Sequence, residues 1–272
     1  MRERIARAFV VVLVLGIVFL PIYWMVSTSL KSNKEITQEA TLYPHAPSLD
    51  NYLHLFAEKQ FGAYLANSLV VTGASVVVAL AVGTLGAYAI ARFRLRFGLE
   101  RRVGLALLTL RIVPPVVILV PVYLLMLQLR LLDTWLGLVL TYTAFNITFC
   151  VWTMESFFRE IPADLEEAAM VDGDSRFGAF LRIALPLAAP GLTATAIFAV
   201  IITFNEFLFA LALTATPRAM TMPRGTATLI GRIDTDWASM AAAGVLGALP
   251  IVIFALIVQR HLVRGMTMGA VK

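Results

Sequence analysis

The sequence predicts an all-α, polytopic integral membrane protein with six transmembrane helices, both termini cytoplasmic, and a helical loop between helices 4 and 5. Three observations carry this expectation. Of 272 residues, 60% are hydrophobic and only 14% charged, against a usual apolar share of ~45–50% on a similar residue set. The mean hydropathy of +0.84 exceeds what one buried core absorbs in a chain of this size, so the apolar residues must meet a second solvent, a lipid bilayer. Finally, the basic residues are partitioned unequally between the two sets of connections.

A helix needs ~20 apolar residues to cross the hydrocarbon, where backbone groups must bond within the segment. Six stretches qualify: residues 8–30, 65–91, 103–127, 135–154, 191–213 and 239–258. The first follows Arg2, Arg4 and Arg7 as a secretory signal would. It is longer than a ~7–15-residue signal core, and Pro21 and Trp24 occupy the region of a cleavage site, so an uncleaved helix is expected. Pro21, Pro114, Pro115, Pro121 and Pro250 each remove a backbone bond and favour a bend. Gly83 with Ala87, and Ala243 with Gly247, repeat small residues at the spacing that lets helices approach closely. The whole chain, 1–272, reads as one membrane domain.

An even number of spans puts both termini on one side. Fourteen Lys and Arg fall on the side that holds the termini and seven on the other. That side is therefore cytoplasmic. Trp135 and Trp237 then lie near the outer boundary and Trp152 near the inner one, where indoles partition.

The net charge of +5 has no catalytic or metal chemistry attached to it. Cys150 is the single cysteine, so neither an intrachain disulfide nor a Cys-based metal cage can form. His45, His54 and His261 never fall at the i, i+4 spacing of a helical metal pair. No Gly-x-x-x-x-Gly-Lys-Ser/Thr loop exists, and none of the four lysines follows a glycine. The chain supplies no ATP site, no cofactor is expected on it, and it is not expected to be an enzyme.

The segment 155–190 is far longer than the few residues usual for a connection. Pro162 suits a first helical turn, Asp164, Glu166 and Glu167 suit its positive end, and Gly173 suits a left-handed C-cap. Asp174 or Ser175 then caps a second helix that Leu185-Pro186 ends. Three Arg against six acids give Phe157 to Ala189 a net charge of −3, beneath an otherwise basic face. Ala168 and Ala169 leave room for another protein's backbone. This predicts a docking hairpin; an amphipathic helix lying on headgroups is the alternative, which its acids oppose.

Glu167-Ala168-Ala169, Gly173, Ile183 and Leu185-Pro186, in this spacing, resemble the EAA motif of permease subunits in binding-protein-dependent ABC importers. The resemblance spans nearly the whole chain and is similar to the carbohydrate branch, the maltose-type second permease. It is carried also by Pro21-Ile22-Tyr23-Trp24, Ser29-Leu30-Lys31, Asn67-Ser68, Ala87-Tyr88-Ala89, Leu131-Leu132-Asp133-Thr134, Asp172-Gly173, Asn205-Glu206-Phe207 and the segment from Gly265 to Lys272. Phe204 departs from relatives, which often carry Trp there.

The resemblance implies that Glu167, Ala168, Ala169, Asp172, Gly173, Ile183, Leu185 and Pro186 form a coupling helix seated in a cytoplasmic ATPase, and that the tail 260–272, with Gly269 and Lys272, touches the ATPase. ATP and Mg would reside on that partner. It further implies a second homologous permease, an ATPase dimer, an extracytoplasmic sugar-binding protein, and a bacterial or archaeal plasma (inner) membrane. The sugar could be an oligosaccharide, disaccharide or polyol. Within the membrane, Arg111, Phe204, Asn205, Glu206 and Phe207 are the candidate substrate pathway, because an intramembrane charge costs ~2.5–3.5 kcal/mol and so faces a cavity or a partner. Interhelical anchoring, including an Arg111–Glu206 pair, is the competing role. An ion-coupled carrier with Glu206 as coupling acid, or an importer of glycerol-phosphate, polyamine or amino acid, remains the alternative function.

Overall fold

The computed structural model describes residues 2–38, 41–93, 98–231 and 235–268. The described residues form helices joined by turns and loops, with no strand among them. In chain order the helices are α1 (Arg2–Ser29), α2 (Asn33–Gln38), α3 (Asp50–Ala57), α4 (Phe61–Arg92), α5 (Leu99–Ile112), α6 (Pro115–Gln128) and α7 (Trp135–Glu160). There follow α8 (Asp164–Val171), α9 (Arg176–Ala179), a π-turn over Phe180–Ala184, and α10 (Leu185–Leu187). The remainder are α11 (Ala189–Phe204), α12 (Leu208–Leu213), α13 (Met222–Ala227) and α14 (Trp237–Met268).

Among the described residues, four helices are long and apolar enough to cross a bilayer: Arg7–Ser29, Phe61–Arg92, Trp135–Glu160 and Trp237–Ile257. A fifth candidate joins Arg176–Leu187 to Ala189–Phe204 through a bend of 72°. Two expected spans are interrupted. The stretch 103–127 breaks at Val113 and Pro114, both extended (ψ 123° and 133°). Pro114 drives Val113 out of the helical region, and Pro115 suits the first turn of α6. At 14 residues, α6 alone reaches about 21 Å, short of the ~30 Å core. The stretch 191–213 breaks between Phe204 and Leu208 with neither proline nor glycine there; instead the Glu206 carboxylate accepts from the amides of Phe209 (3.0 Å) and Ala210 (3.2 Å), opening α12. Pro21 and Pro250 lie inside continuous helices.

Two compact units result, one of 1–65 with 221–250 and one of 66–220 with 251–272. In the first, Lys31 is buried, donates to the Thr41 carbonyl and lies 5.2 Å from the Trp24 ring centre. Asp236 caps α14, accepting from Ser239 N (3.0 Å) and from Asn33 Nδ2 (2.7 Å), with His54 Nε2 at 3.9 Å.

Apolar clusters organise the described residues of the second unit. One gathers Ala87, Tyr88, Val151, Met154, Phe158, Phe180 and Ala184; another gathers Val71, Met126, Leu138, Tyr142, Phe209 and Leu213. Small residues set the spacing in this unit. A Cβ on Gly83 would stand 2.5 Å from Cys150 Cβ, and one on Gly191 would stand 2.3 Å from the Phe157 ring. The connection 129–134 is tied to 213–216 by Asp133, whose amide donates to Leu213 O (2.8 Å) and whose Oδ1 accepts from the amides of Ala215 and Thr216 (3.0 and 3.1 Å).

Candidate functional site

The hairpin from Asp164 to Leu187 turns at Gly173, as the spacing of its caps predicts. The Gly173 φ of +93° is a left-handed value that a residue with a Cβ adopts at a cost. It lets the Asp174 amide reach back to Ala169 O (2.9 Å) and the Gly173 amide to Met170 O (3.2 Å), closing the end of α8. Ser175 caps the next helix, its Oγ accepting from Gly178 N (3.0 Å). Asp174 accepts from Ser175 N (2.9 Å) and from Arg182 Nη1 (3.2 Å). Pro186, expected to end this helix, sits instead in the first turn of α10. The π-turn reroutes the Leu185 amide to Phe180 O, so a residue without an N–H is accommodated just beyond it.

Of the two adjacent glutamates, Glu166 is buried and Glu167 exposed. Glu166 Oε1 accepts from Arg92 Nε at 2.7 Å, and its Oε2 from Tyr88 Oη at 2.5 Å. Arg92 Nη2 donates in addition to Ile161 O at 2.8 Å. Sequence reading placed only an N-terminal helix charge at Glu166. The missed signal is that Tyr88 and Arg92, at i and i+4, share one face of α4. The ring of Tyr88 packs on Phe158 and Phe180 at centroid distances of 5.5 and 4.6 Å.

With Glu166 pointing inward, the opposite surface carries Glu167, Ala168, Asp172 and Gly173, all exposed, beside Val171 at 87% and Phe177 at 62% exposure. Ala169 and Ile183 are half-buried, Leu185 packs against the apolar cluster, and Pro186 is exposed. The hairpin is thus buried on one side and presents small, acidic and apolar groups on the other. Gly269 and Lys272 lie outside the described residues.

Where α5–α6 and α11–α12 are interrupted, a cavity of about 450 Å³ opens, lined by Val113, Pro115, Tyr142, Asn146, Thr203, Glu206 and rings including Phe145 and Phe209. Asn146 Nδ2 donates to Tyr142 O and Thr203 Oγ1, both at 2.8 Å. The Tyr142 hydroxyl is buried beside the Glu206 carboxylate. Of the pathway residues chosen from sequence, only Glu206 is among the lining residues. Phe204 is buried elsewhere in the packing, and Asn205 and Phe207 are exposed. The Arg111 side chain lies outside the described residues. Tyr142, Asn146 and Thr203 went unnoticed because single polar residues in apolar spans also serve packing; the i, i+4 pair Tyr142 and Asn146 was the available hint.

Comparison with known proteins agrees with this geometry. The family described as binding-protein-dependent transport system inner membrane component matches residues 80–268. The trehalose transport system permease protein SugB of Mycobacterium tuberculosis is 38% identical over 262 residues, covering 96% of this chain and 94% of its own. The sulfoquinovosyl glycerol transport system permease protein SmoH of Agrobacterium fabrum is 37% identical over 254 residues, 93% of this chain and 88% of its own. The trehalose/maltose transport system permease protein MalG of Thermococcus litoralis is 32% identical over 281 residues, 100% of this chain and 99% of its own. In fold, a chain of a bacterial ABC transporter for import of the acidic polysaccharide alginate superposes with TM-score 0.77 at 24% identity, over 95% of both chains. The chain therefore belongs to the inner membrane components of binding-protein-dependent transport systems.

Proposed function

We propose that this chain is one of two homologous permeases of an ATP-driven sugar importer in a bacterial or archaeal inner membrane. It lines half of the translocation path, receives substrate from an extracytoplasmic sugar-binding protein, and seats its hairpin on a cytoplasmic ATPase dimer that holds ATP and Mg. Residues 1–272 act as one permease domain without a cofactor of their own. The observation that carries this reading is the hairpin: buried through Glu166 on one side, exposed through Glu167, Ala168, Asp172 and Gly173 on the other. A rigid body of that kind moves with a partner that grips it.

In this reading α5–α6 and α11–α12 are two broken spans, which with α1, α4, α7 and α14 make six. Broken helices are tolerated at membrane depth where they line a cavity. Both termini are then cytoplasmic, in keeping with the excess of Lys and Arg on their side. The 72° bend before α11 becomes the turn from the cytoplasmic face into the membrane. The segment from Thr214 to Trp237, on the outer side, meets the binding protein. Disaccharide relatives favour a di- or oligosaccharide, with polyols as the next class.

The test is uptake of radiolabelled trehalose and related sugars into vesicles carrying the chain with its partner subunits. ATP with binding protein and no ion gradient should drive import. Import that follows an ion gradient and ignores ATP would overturn the reading.

A further inference from the structure

We propose that Arg92, Glu166 and Tyr88 form a strut that delivers movement of the hairpin directly to α4, a helix to which the hairpin has no nearby covalent link. The inference rests on the hairpin being the ATPase-coupling element.

By chain connectivity the hairpin is attached to α7 and α11 alone, and α4 lies 74 to 78 residues away. The contact that bridges this gap is polar, short and shielded. Glu166 and Arg92 side chains are 5% and 11% exposed, and their N–O distance is 2.7 Å. Each carboxylate oxygen of Glu166 is held by a different residue of α4, Tyr88 or Arg92. The same guanidinium also donates to the Ile161 carbonyl, at the entry to the hairpin. Arg92 therefore grips both ends of the segment that would move first. Its planar fork fixes the direction of both bonds, which a lysine would not.

The hairpin's second arm meets α4 as well. The Phe180 ring packs tilted against Tyr88 at 4.6 Å, and the Arg176 guanidinium lies 5.1 Å from the ring centre of Phe93, one residue past α4. By contrast the Arg182–Asp174 pair joins two hairpin residues, with Arg182 75% exposed, and carries nothing to α4. A buried ion pair is seldom the most stabilising choice for its site, since well-packed apolar side chains often serve as well or better. What it adds is a single register. Apolar surfaces can slide past each other, whereas a carboxylate held at both oxygens cannot shift without breaking bonds.

The experiment uses the assembled complex of both permeases, ATPase and binding protein, in a Cys150→Ser background, with two single-cysteine reporters that carry a nitroxide attached in detergent and read by its EPR line shape after reconstitution: Leu85→Cys on α4 and Phe198→Cys on α11. Both positions are exposed in this chain. ATP with vanadate should change the nitroxide's rotational correlation time about threefold at each reporter in the otherwise unsubstituted complex. In the apolar double variant Arg92→Met/Glu166→Met, the response at Leu85→Cys should disappear while that at Phe198→Cys persists. Glu166→Gln and Tyr88→Phe, which alter one bond each, should roughly halve the α4 response; they carry the test if the double variant does not assemble. Persistence of the full α4 response in these variants would overturn the strut, and so would equal loss at both reporters. Absence of any ATP response in the unsubstituted complex would overturn the importer reading itself.

Discussion

The hairpin and the cavity lie in the same compact unit but use their carboxylates differently. In the hairpin both oxygens of Glu166 are bonded, Asp174 accepts from two donors, and the α8 carbonyls of Ala169 and Met170 are capped. In the cavity the Tyr142 hydroxyl is buried beside the Glu206 carboxylate, which is already engaged by the two amides that open α12. A fully satisfied network specifies one shape. A hydroxyl and a carboxylate side by side on an aromatic-lined wall are suited to a guest that brings its own hydroxyls. In the proposed importer, the hairpin would transmit force and the cavity would receive the solute.

Substitutions in the two regions should therefore differ in kind. The largest effect is expected from Glu166→Ala, which strands a buried guanidinium and a phenol. About 3–5 kcal/mol is the usual cost of breaking a buried pair, so thermal unfolding of the purified complex should shift strongly or the complex should fail to accumulate. Gly173→Val comes next. A β-branched residue at φ +93° costs about 1–3 kcal/mol locally. Uptake should fall by an order of magnitude or more as the docking face distorts, while the apolar membrane helices remain folded by circular dichroism.

Asp133→Asn tests a tie between two connections of the same unit. Burial alone would raise the Asp133 carboxyl, but the Thr216 hydroxyl, the Ala215 and Thr216 amides and Arg218 outweigh it and hold it below the usual range. A lowered folded-state pKa means the stabilisation is present above the unfolded value of about 3.9 and is lost as pH falls through the folded one. The variant should thus lose about 1–2 kcal/mol near neutral pH, given the group's partial exposure. The gap to wild type should close in acid below both pKa values. An unchanged gap there would contradict the assignment.

The smallest effect on stability is expected from Tyr142→Phe. Removing a hydroxyl whose neighbour Glu206 keeps its two amide bonds should cost no more than about 0.5–1.5 kcal/mol of thermal stability. The same variant should raise the apparent KM for the sugar several-fold if the hydroxyl meets solute, as one lost hydrogen bond does. A loss of stability with unchanged transport would place Tyr142 in packing rather than in the path.

The hairpin was legible because its signals are local. Pro162, the acidic first turn, Gly173 and Ser175 mark helix ends by backbone chemistry alone. What the sequence could not tell is which of Glu166 and Glu167 turns inward. Neighbours on a helix are about 100° apart, and the choice is made by Arg92, 74 residues away. The break in the third apolar stretch was foreshadowed by Pro114-Pro115, although one continuous span was expected there. The break at 205–207 had no such mark, since it depends on one carboxylate replacing helical bonds to two amides. The polar lining of the cavity depends on which faces of α6, α7, α11 and α12 converge, and no single segment encodes that.

The account stands most directly on where the ATPase binds. In a Cys150→Ser background, cysteines placed at Ala168 and at Phe207, exposed positions of the hairpin and of the interrupted span, can be cross-linked in the assembled, ATP-hydrolysing complex. The account predicts a cross-link from Ala168→Cys to the ATPase subunit and none from Phe207→Cys. Capture of the ATPase from Phe207→Cys, or its absence from Ala168→Cys in a complex that hydrolyses ATP, would contradict it.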